Sequence, residues 1–252
     1  MAASAAWGKD AWWHPGGLAW SRPSCIAFVD GSWAWIDGES AAVLGEVSTA
    51  TVQWAAETGA RLLIDHRRLP LPRVEGAPYF LDVRREPDLT VQMPPPGVRL
   101  GVVEDVSSFV ECHRQSWRPH DLPFAAPKTF PADASSSFNE LRWVAITSDP
   151  MFDPSLVVVG YQGEAAVGSC IAWFDPQNSS AEIEPLGVVP AARGRGVARA
   201  LVLESLNRLA HRGAREVVVR PRGDDDYPAP RALYASCGFT TRQRNVLYRL
   251  DA

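Results

Sequence analysis

Residues 98–252 predict a mixed α/β domain with a central, mostly antiparallel sheet and flanking helices, preceded by a smaller α/β half in residues 1–93. Three observations carry this. The apolar runs Leu156–Tyr161, Ala166–Phe174 and Ala181–Val189 follow one another across short turn sequences, Gln162-Gly163 and Pro176–Ser180, as strands joined by hairpins do. On either side of them the apolar residues change to helical spacing, first at Val106, Phe109, Val110, His113 and Trp117, then at Val197, Leu201, Val202, Leu206 and Leu209. The segment Met93-Pro94-Pro95-Pro96-Gly97 fits neither a helix interior nor a central strand, because three successive residues lack an N–H donor. It marks the junction between the two halves.

In the first half, Asp30-Gly31 between Cys25–Val29 and Ser32–Ile36 is a hairpin signal, because both residues tolerate positive φ. Ser48 can cap a helix through Trp54 and Ala56, which Gly59 ends. An internal echo begins at that glycine. Gly59-Ala60-Arg61-Leu62-Leu63-Ile64 parallels Gly213-Ala214-Arg215-Glu216-Val217-Val218-Val219, and each copy leads from a helix into an apolar strand. Trp7, Trp12, Trp13, Trp20, Trp33 and Trp35 crowd the N-terminus, as core or interface packing, or alternatively as the aromatic wall of a substrate groove.

In the second half, Val98–Leu100 reads as a short strand. The helix after it carries His113 on its apolar stripe, so His113 reads as a core residue rather than a catalyst. Residues 118–136 are rich in Pro and Ala and read as a loop. Ser137-Phe138-Asn139-Glu140 has the form of a capping box opening a helix through Trp143 and Ile146. Within Ala181–Val189, Pro185 has no N–H for a ladder and Gly187 no side chain to pack, so this strand should bulge or splay from a neighbour. A helix spans about Gly196–Arg212, with Gly213 at its C′ position. Val217–Val219 is the next strand. Pro228 or Pro230 starts a short helix carrying Arg231–Ser236, and Phe239–Leu250 completes the sheet.

Composition narrows the classes. A formal net charge of −4 argues against a general binder of nucleic acid or membrane surfaces. No apolar run is long enough for a membrane span, and the N-terminus lacks the basic-then-apolar order of a secretory signal. Cys25, Cys112, Cys170 and Cys237 are far apart, with no Cys-x-x-Cys pair and no histidine at zinc spacing. They read as reduced thiols of a cytoplasmic protein without a metal site. Arginine and alanine dominate while Lys9 and Lys128 are the only lysines, a bias that points to a GC-rich bacterial genome.

The most informative stretch is Val188-Val189-Pro190-Ala191-Ala192-Arg193-Gly194-Arg195-Gly196-Val197-Ala198. A strand end runs through a Gly/Arg turn directly into a helix. The first N–H groups of a helix have no intrahelical acceptor, the helix dipole adds positive potential, and glycines let an anion approach the backbone. The turn therefore reads as a pyrophosphate cradle. It is neither a Walker A loop nor a Gly-x-Gly-x-x-Gly fingerprint.

Arg193, Gly196 and Ala198 match Arg-x-x-Gly-x-Ala, and Leu233-Tyr234-Ala235-Ser236-Cys237-Gly238-Phe239 comes later as Leu-Tyr-x-x-x-Gly-Phe. With both motifs in this order the chain resembles the GNAT superfamily of acyl-CoA-dependent N-acyltransferases. The whole resembles bacterial tandem-GNAT proteins in which a degenerate N-terminal half lacks both motifs. The resemblance implies the GNAT fold for residues 98–252 and acetyl-CoA as co-substrate, with the cofactor on Leu186, Gly187, Val188, Arg193, Gly194, Arg195, Gly196, Val197 and Ala198. It implies the Val188 N–H as oxyanion donor and Tyr234 as the acid that protonates the departing thiolate. Cys237, inside the tyrosine motif, reads as a small buried residue.

Acyl transfer to an amine also needs a base. By strand alternation Glu182 and Glu184 share a face with Leu186 and Val188. Glu184 is the preferred base, because Glu184-Pro185-Leu186-Gly187 resembles a Glu-Pro-x-Gly segment of related acyltransferases. One departure stands out: Tyr227 occupies the position where many relatives carry Asn. Asp224–Asp226 nearby could attract a cationic amine, or form a solvated loop. The expected activity is N-acetylation of a primary amine on a small molecule or peptide, by direct attack in a ternary complex. The alternative is a non-catalytic acyl-CoA-binding or scaffold protein.

Overall fold

The computed structural model describes residues 26–29, 32–37, 40–44, 61–65, 80–89, 93–118, 138–223, 225, 227–245 and 248–249. The expected Ser48 helix, the tryptophans before residue 26, Cys25, the Asp30-Gly31 turn and Ser137 lie outside them. The chain forms two units, the larger drawn from Leu81–Trp143 and Asp153–Arg242.

The smaller unit holds a sheet that opens with β1 (Ile26–Val29) and β2 (Ser32–Asp37). They are antiparallel with Val29 opposite Ser32, the register of the expected hairpin. β3 (Ser40–Leu44) runs antiparallel to β2, and β4 (Arg61–Asp65) runs parallel to β3. β4 is the strand that the Gly-Ala-Arg echo predicts.

The larger unit is built on β5 (Phe80–Arg85), β6 (Arg99–Gly101), β7 (Val157–Gln162), β8 (Ala165–Asp175), β9 (Ser180–Val188), β10 (Glu216–Val219) and β11 (Thr240–Asn245). Their order in the sheet is β11-β5-β10-β9-β8-β7-β6. β6 through β9 are successive antiparallel neighbours, β9 and β10 are parallel, and β10 is antiparallel to β5. Met93–Gly97 closes a turn in which the Val98 N–H donates to Pro95 O at 3.0 Å and Gly97 takes φ +78°. The strands on both sides of it, β5 and β6, belong to this one sheet. The chain ends in β12 (Tyr248–Arg249), which pairs with β4 in the first sheet, so only β11 of the Phe239–Leu250 segment joins the second.

Four helices are described: α1 (Val106–Ser116), α2 (Glu140–Thr147), α3 (Val197–His211) and α4 (Ala229–Ser236). Asp105 caps α1 by accepting the Ser108 N–H at 2.7 Å. The Asn139 Oδ1 accepts the Arg142 N–H at 3.0 Å at the start of α2. α3 packs on β7–β9 through Val197, Leu201, Leu206 and Leu209, all essentially buried. Its approach is close: a Cβ on Gly168 would stand 3.0 Å from Leu201 Cδ1. α1 covers β8 and β9. Among the described residues no helix is long and apolar enough to cross a membrane.

Candidate active site

The site begins where β9 stops being a regular strand. Ala172 of β8 stands opposite Ile183, and the next registered pair is Cys170 with Leu186. One residue of β8 thus faces two of β9, Glu184 and Pro185. This is the expected bulge, placed at the residue that cannot donate. On its other edge β9 pairs with β10 only over Ser180–Glu182. Beyond Glu182 that edge pairs with no strand among the described residues, which is the expected splay.

The bulge corrects the simple alternation. Directly opposite residues share a face, so Ile183, Leu186 and Val188 lie with Ala172, Cys170 and Gly168, while Glu182 lies with Trp173 on the other. Glu182 therefore does not share a face with Leu186 and Val188. The α3 side holds Cys170, whose Sγ accepts the Ser205 hydroxyl at 3.1 Å. The α1 side holds Gly187, where a Cβ would stand 2.7 Å from Ser116 Cβ and 3.0 Å from Trp117 Nε1. Gly187 is thus required by helix packing, a reason the sequence alone does not reveal.

The backbone of the splayed segment points predictably. The Val189 N–H donates to Val167 O on β8 at 3.0 Å. In an antiparallel strand successive residues turn their N–H and C=O to opposite edges. The Val188 N–H therefore faces the edge that β10 has left. The Val188 carbonyl, on that same edge, accepts Nε of Arg193 at 3.0 Å, and Arg193 Nη2 reaches Ser116 O at 3.0 Å. Arg193 is thus tied to the ends of β9 and α1.

From Val189 the chain makes a 3-10 turn, Pro190–Ala192, and enters α3 through Gly194 (φ +71°) and Gly196 (φ +85°). Both values lie in the left-handed region that glycine alone adopts without cost. Gly196 is the N-cap and supplies no side-chain acceptor, and the first helical bond is Ala200 N–H to Gly196 O. The Val197 and Ala198 amides thus present donors at the end of a 15-residue helix. A Cβ at either glycine would meet nothing within 4 Å, so the space over this turn is open. Arg195 is exposed and makes no ion pair among the described residues. These features fit an anion such as a pyrophosphate.

The two glutamates differ in commitment. Glu182 is buried and ion-paired with Arg220. Among the described residues the Glu184 carboxylate accepts no hydrogen bond; only its backbone carbonyl does, from Trp173 Nε1 at 2.9 Å. Glu184 is reached by solvent yet has protein packed closely around its carboxyl. Desolvation there, reinforced by the Glu182 charge and opposed by Arg220, raises its carboxyl to about 7.

Tyr234 lies on α4 and is 6% exposed. Gly238 (φ +84°) turns the chain back so that the Phe239 N–H donates to Tyr234 O at 3.0 Å. The Phe239 ring then meets the Tyr234 ring edge-on, 5.5 Å between centroids. That return explains the Tyr-x-x-x-Gly-Phe spacing. Burial holds the phenol well above the usual tyrosine range, with the Glu184 charge acting in the same direction. Tyr234 and Glu184 are thus within electrostatic reach of each other.

Arg85, invisible as a site residue in the sequence, donates to the carbonyl of Cys237 at the end of α4 and so holds the tyrosine helix. Cys237 itself is buried with its thiol pushed up, which suits packing rather than nucleophilic attack. Tyr227 is partly buried and close enough to Arg193 for the guanidinium to act on its phenol. Asp225 pairs with Arg231, so this member of the acidic run braces the loop before α4; Asp224 and Asp226 lie outside the described residues.

A bulged and splayed strand that feeds an uncapped helix through a glycine turn is the arrangement to compare with known proteins. Residues 115–239 match the Acetyltransferase (GNAT) family. This part of the chain is a GNAT domain. In fold, 88% of the chain is similar to 78% of a GCN5-related N-acetyltransferase from Sphaerobacter thermophilus, with a TM-score of 0.59 at 20% identity. A tandem GNAT protein from the clavulanic acid biosynthesis pathway gives the same TM-score at 14% identity, over 89% of this chain and 81% of that one. Among curated proteins, a mycothiol acetyltransferase of Catenulispora acidiphila is 28% identical over 167 residues, 62% of this chain and 48% of that protein. The chain spans about half the length of the curated relatives it matches. The GNAT match covers β7 through α4, and thus the bulge, the glycine turn and Tyr234.

Proposed function

We propose that the chain is a cytoplasmic N-acetyltransferase that carries an acetyl group from acetyl-CoA to a primary amine by direct attack in a ternary complex. The observation that carries this reading is the Val188 amide, which faces an edge of β9 with no strand partner among the described residues, on a strand that leads into an uncapped helix N-terminus. Residues 98–252 form the catalytic half in this reading, with β5 joined to their sheet, and the rest of residues 1–93 a degenerate GNAT-like half without either motif.

Acetyl-CoA, when bound, supplies the activated acyl carbon as a thioester. The amides of Gly194 to Ala198, with Arg195, would hold its pyrophosphate. The free edge of Leu186, Gly187 and Val188 would line the slot beside it. The Val188 N–H donates to the carbonyl oxygen as negative charge develops there, and Arg193 fixes that edge by holding the Val188 carbonyl. Glu184 accepts the proton of the attacking amine, directly or through one water. The nitrogen bonds to the carbonyl carbon, the carbon–sulfur bond breaks, and the sulfur takes the proton of the Tyr234 hydroxyl. A proton then returns from Glu184 to Tyr234. Glu184 near 7 is tuned for this, since a base works best with a pKa close to the working pH.

The test is thiol release from acetyl-CoA across a panel of amines, followed against pH. A mycothiol-type acceptor belongs first in the panel, given the curated relatives. The wild-type rate should rise as pH passes through about 7, where Glu184 ionises, and Glu184→Gln should lose that rise. The second reading is a non-catalytic acyl-CoA-binding or scaffold protein, which Tyr227 in place of the usual Asn favours. Acetyl-CoA binding with no thiol release for any amine would establish it instead.

A further inference from the structure

We propose that Glu182 and Arg220 are positioning residues for this reaction: their ion pair stitches β9 to β10 at the vertex of the splay and fixes where Glu184 and the Val188 amide stand. The proposal rests on the roles given to those two groups above. Glu182 is the last residue of β9 registered with β10, opposite Val218, and Arg220 is the first residue after β10 ends. The carboxylate and guanidinium meet across that junction with side-chain exposures of only 11% and 20%. A pair so little exposed is far less diluted by solvent than a surface one, and removing one partner leaves the other charge stranded. Two residues later the chain bulges. A vertex moved along the strand would carry Glu184 toward the ladder and narrow the gap that the Val188 amide faces.

The β8 side is anchored as well. Trp173, opposite Glu182, donates its indole N–H to the Glu184 carbonyl. Glu184 is thus held by β8 through its own backbone and by β10 through its neighbour two residues back. The charged and titratable groups that act on it are Glu182 on its own strand and Arg220 beyond β10, with Cys170 on β8 and Tyr234 on α4 both neutral near pH 7. Glu182 and Arg220 push the Glu184 carboxyl in opposite directions, so each can be removed with a distinguishable sign.

The experiment is a carbon-13 carboxyl titration of Glu184 in the full chain, assigned with Glu184→Gln, together with kcat and the KM for acetyl-CoA against pH. Glu182→Gln should lower the Glu184 midpoint and Arg220→Gln should raise it, each by about one pH unit. Both should lower kcat about tenfold or more through misplacement, with the KM for acetyl-CoA little changed. The double variant should return the midpoint near wild type while kcat stays low, and Arg220→Lys should keep both near wild type. Should Glu182→Gln fail to fold, Arg220→Gln and Arg220→Lys carry the same test. Wild-type midpoints and wild-type kcat in the single variants would overturn the stitch and leave Glu184 as the base. A wild-type pH profile in Glu184→Gln would instead overturn the base, with the carboxyl titration still deciding the stitch.

Discussion

His113→Phe should stabilise the protein and flatten its response to acid. His113 is 7% exposed, stacks on Phe138 with centroids 4.0 Å apart, and neither ring nitrogen has a hydrogen-bond partner among the described residues. Burial, helped by Arg142, pushes its pKa down to about 4 from an ordinary 6.5. The sign comes from linkage. The unfolded chain takes up a proton below about 6.5 and the folded one does not, so the stability this group contributes is complete above 6.5 and lost as pH falls toward 4. Between pH 7.5 and pH 5 that loss is about 2 kcal/mol. Phenylalanine keeps the stacked ring, removes the titration and removes two buried nitrogens without partners. Such groups cost on the order of 1–3 kcal/mol at any pH. The variant should therefore be more stable by about 1 kcal/mol at pH 7.5 and about 3 kcal/mol at pH 5, or roughly 2–4 °C in Tm per kcal/mol. Urea and thermal melts of both proteins at the two pH values measure this, and the other titrating groups cancel in the difference. Equal acid losses in the two proteins would show that His113 is not held neutral and would refute the reasoning.

Gly196→Glu places a side chain at φ +85° and a negative charge where an anion should sit, so acetyl-CoA should no longer raise Tm; an unchanged calorimetric affinity would remove the cradle assignment. Tyr234→Phe keeps the ring against Phe239 and removes only the hydroxyl, so turnover should fall roughly 10²–10⁴-fold while acetyl-CoA affinity holds. Full turnover would rule out Tyr234 as the acid, and lost binding would make it structural. Gly187→Ala forces a methyl to within 2.7 Å of Ser116 Cβ and should cost about 1–3 kcal/mol; an unshifted Tm would mean that the end of α1 yields freely.

The strands β7, β8 and β9 were legible because a strand covered on both faces reads as a nearly continuous apolar run. β5 was not. Phe80-Leu81-Asp82-Val83-Arg84-Arg85 reads as half charged, and Arg84 bonds both Asp82 on its own strand and Glu216 on the neighbouring β10. Nothing local announces a partner that arrives so much later in the chain. The bulge was legible from Pro185, but its consequence was not. An extra residue reverses the alternation, so Glu182 parts from Leu186 and Val188. Gly187 looked like part of the same irregularity, yet its missing side chain answers to Ser116 and Trp117 on α1. Periodicity reports the faces of a regular strand and says nothing once the register slips.

The charges around β9 show why pattern alone cannot distribute roles within this site. Glu182 and Glu184 look equivalent in sequence, as do Arg193 and Arg195. In each pair one member is committed to the fold: Glu182 to Arg220, and Arg193 to the carbonyls of Val188 and Ser116. The other member makes no ion pair among the described residues and lies open, Glu184 in the bulge of β9 and Arg195 beside the uncapped end of α3. A charge already satisfied by the protein has little to offer a substrate, because binding must first break the bond it holds. An unsatisfied charge in a cleft costs the fold stability and gains only when a ligand or a proton in transit meets it. On that ground Glu184 is the better base and Arg195 the better anion contact, while Glu182 and Arg193 keep the strand end in place for both.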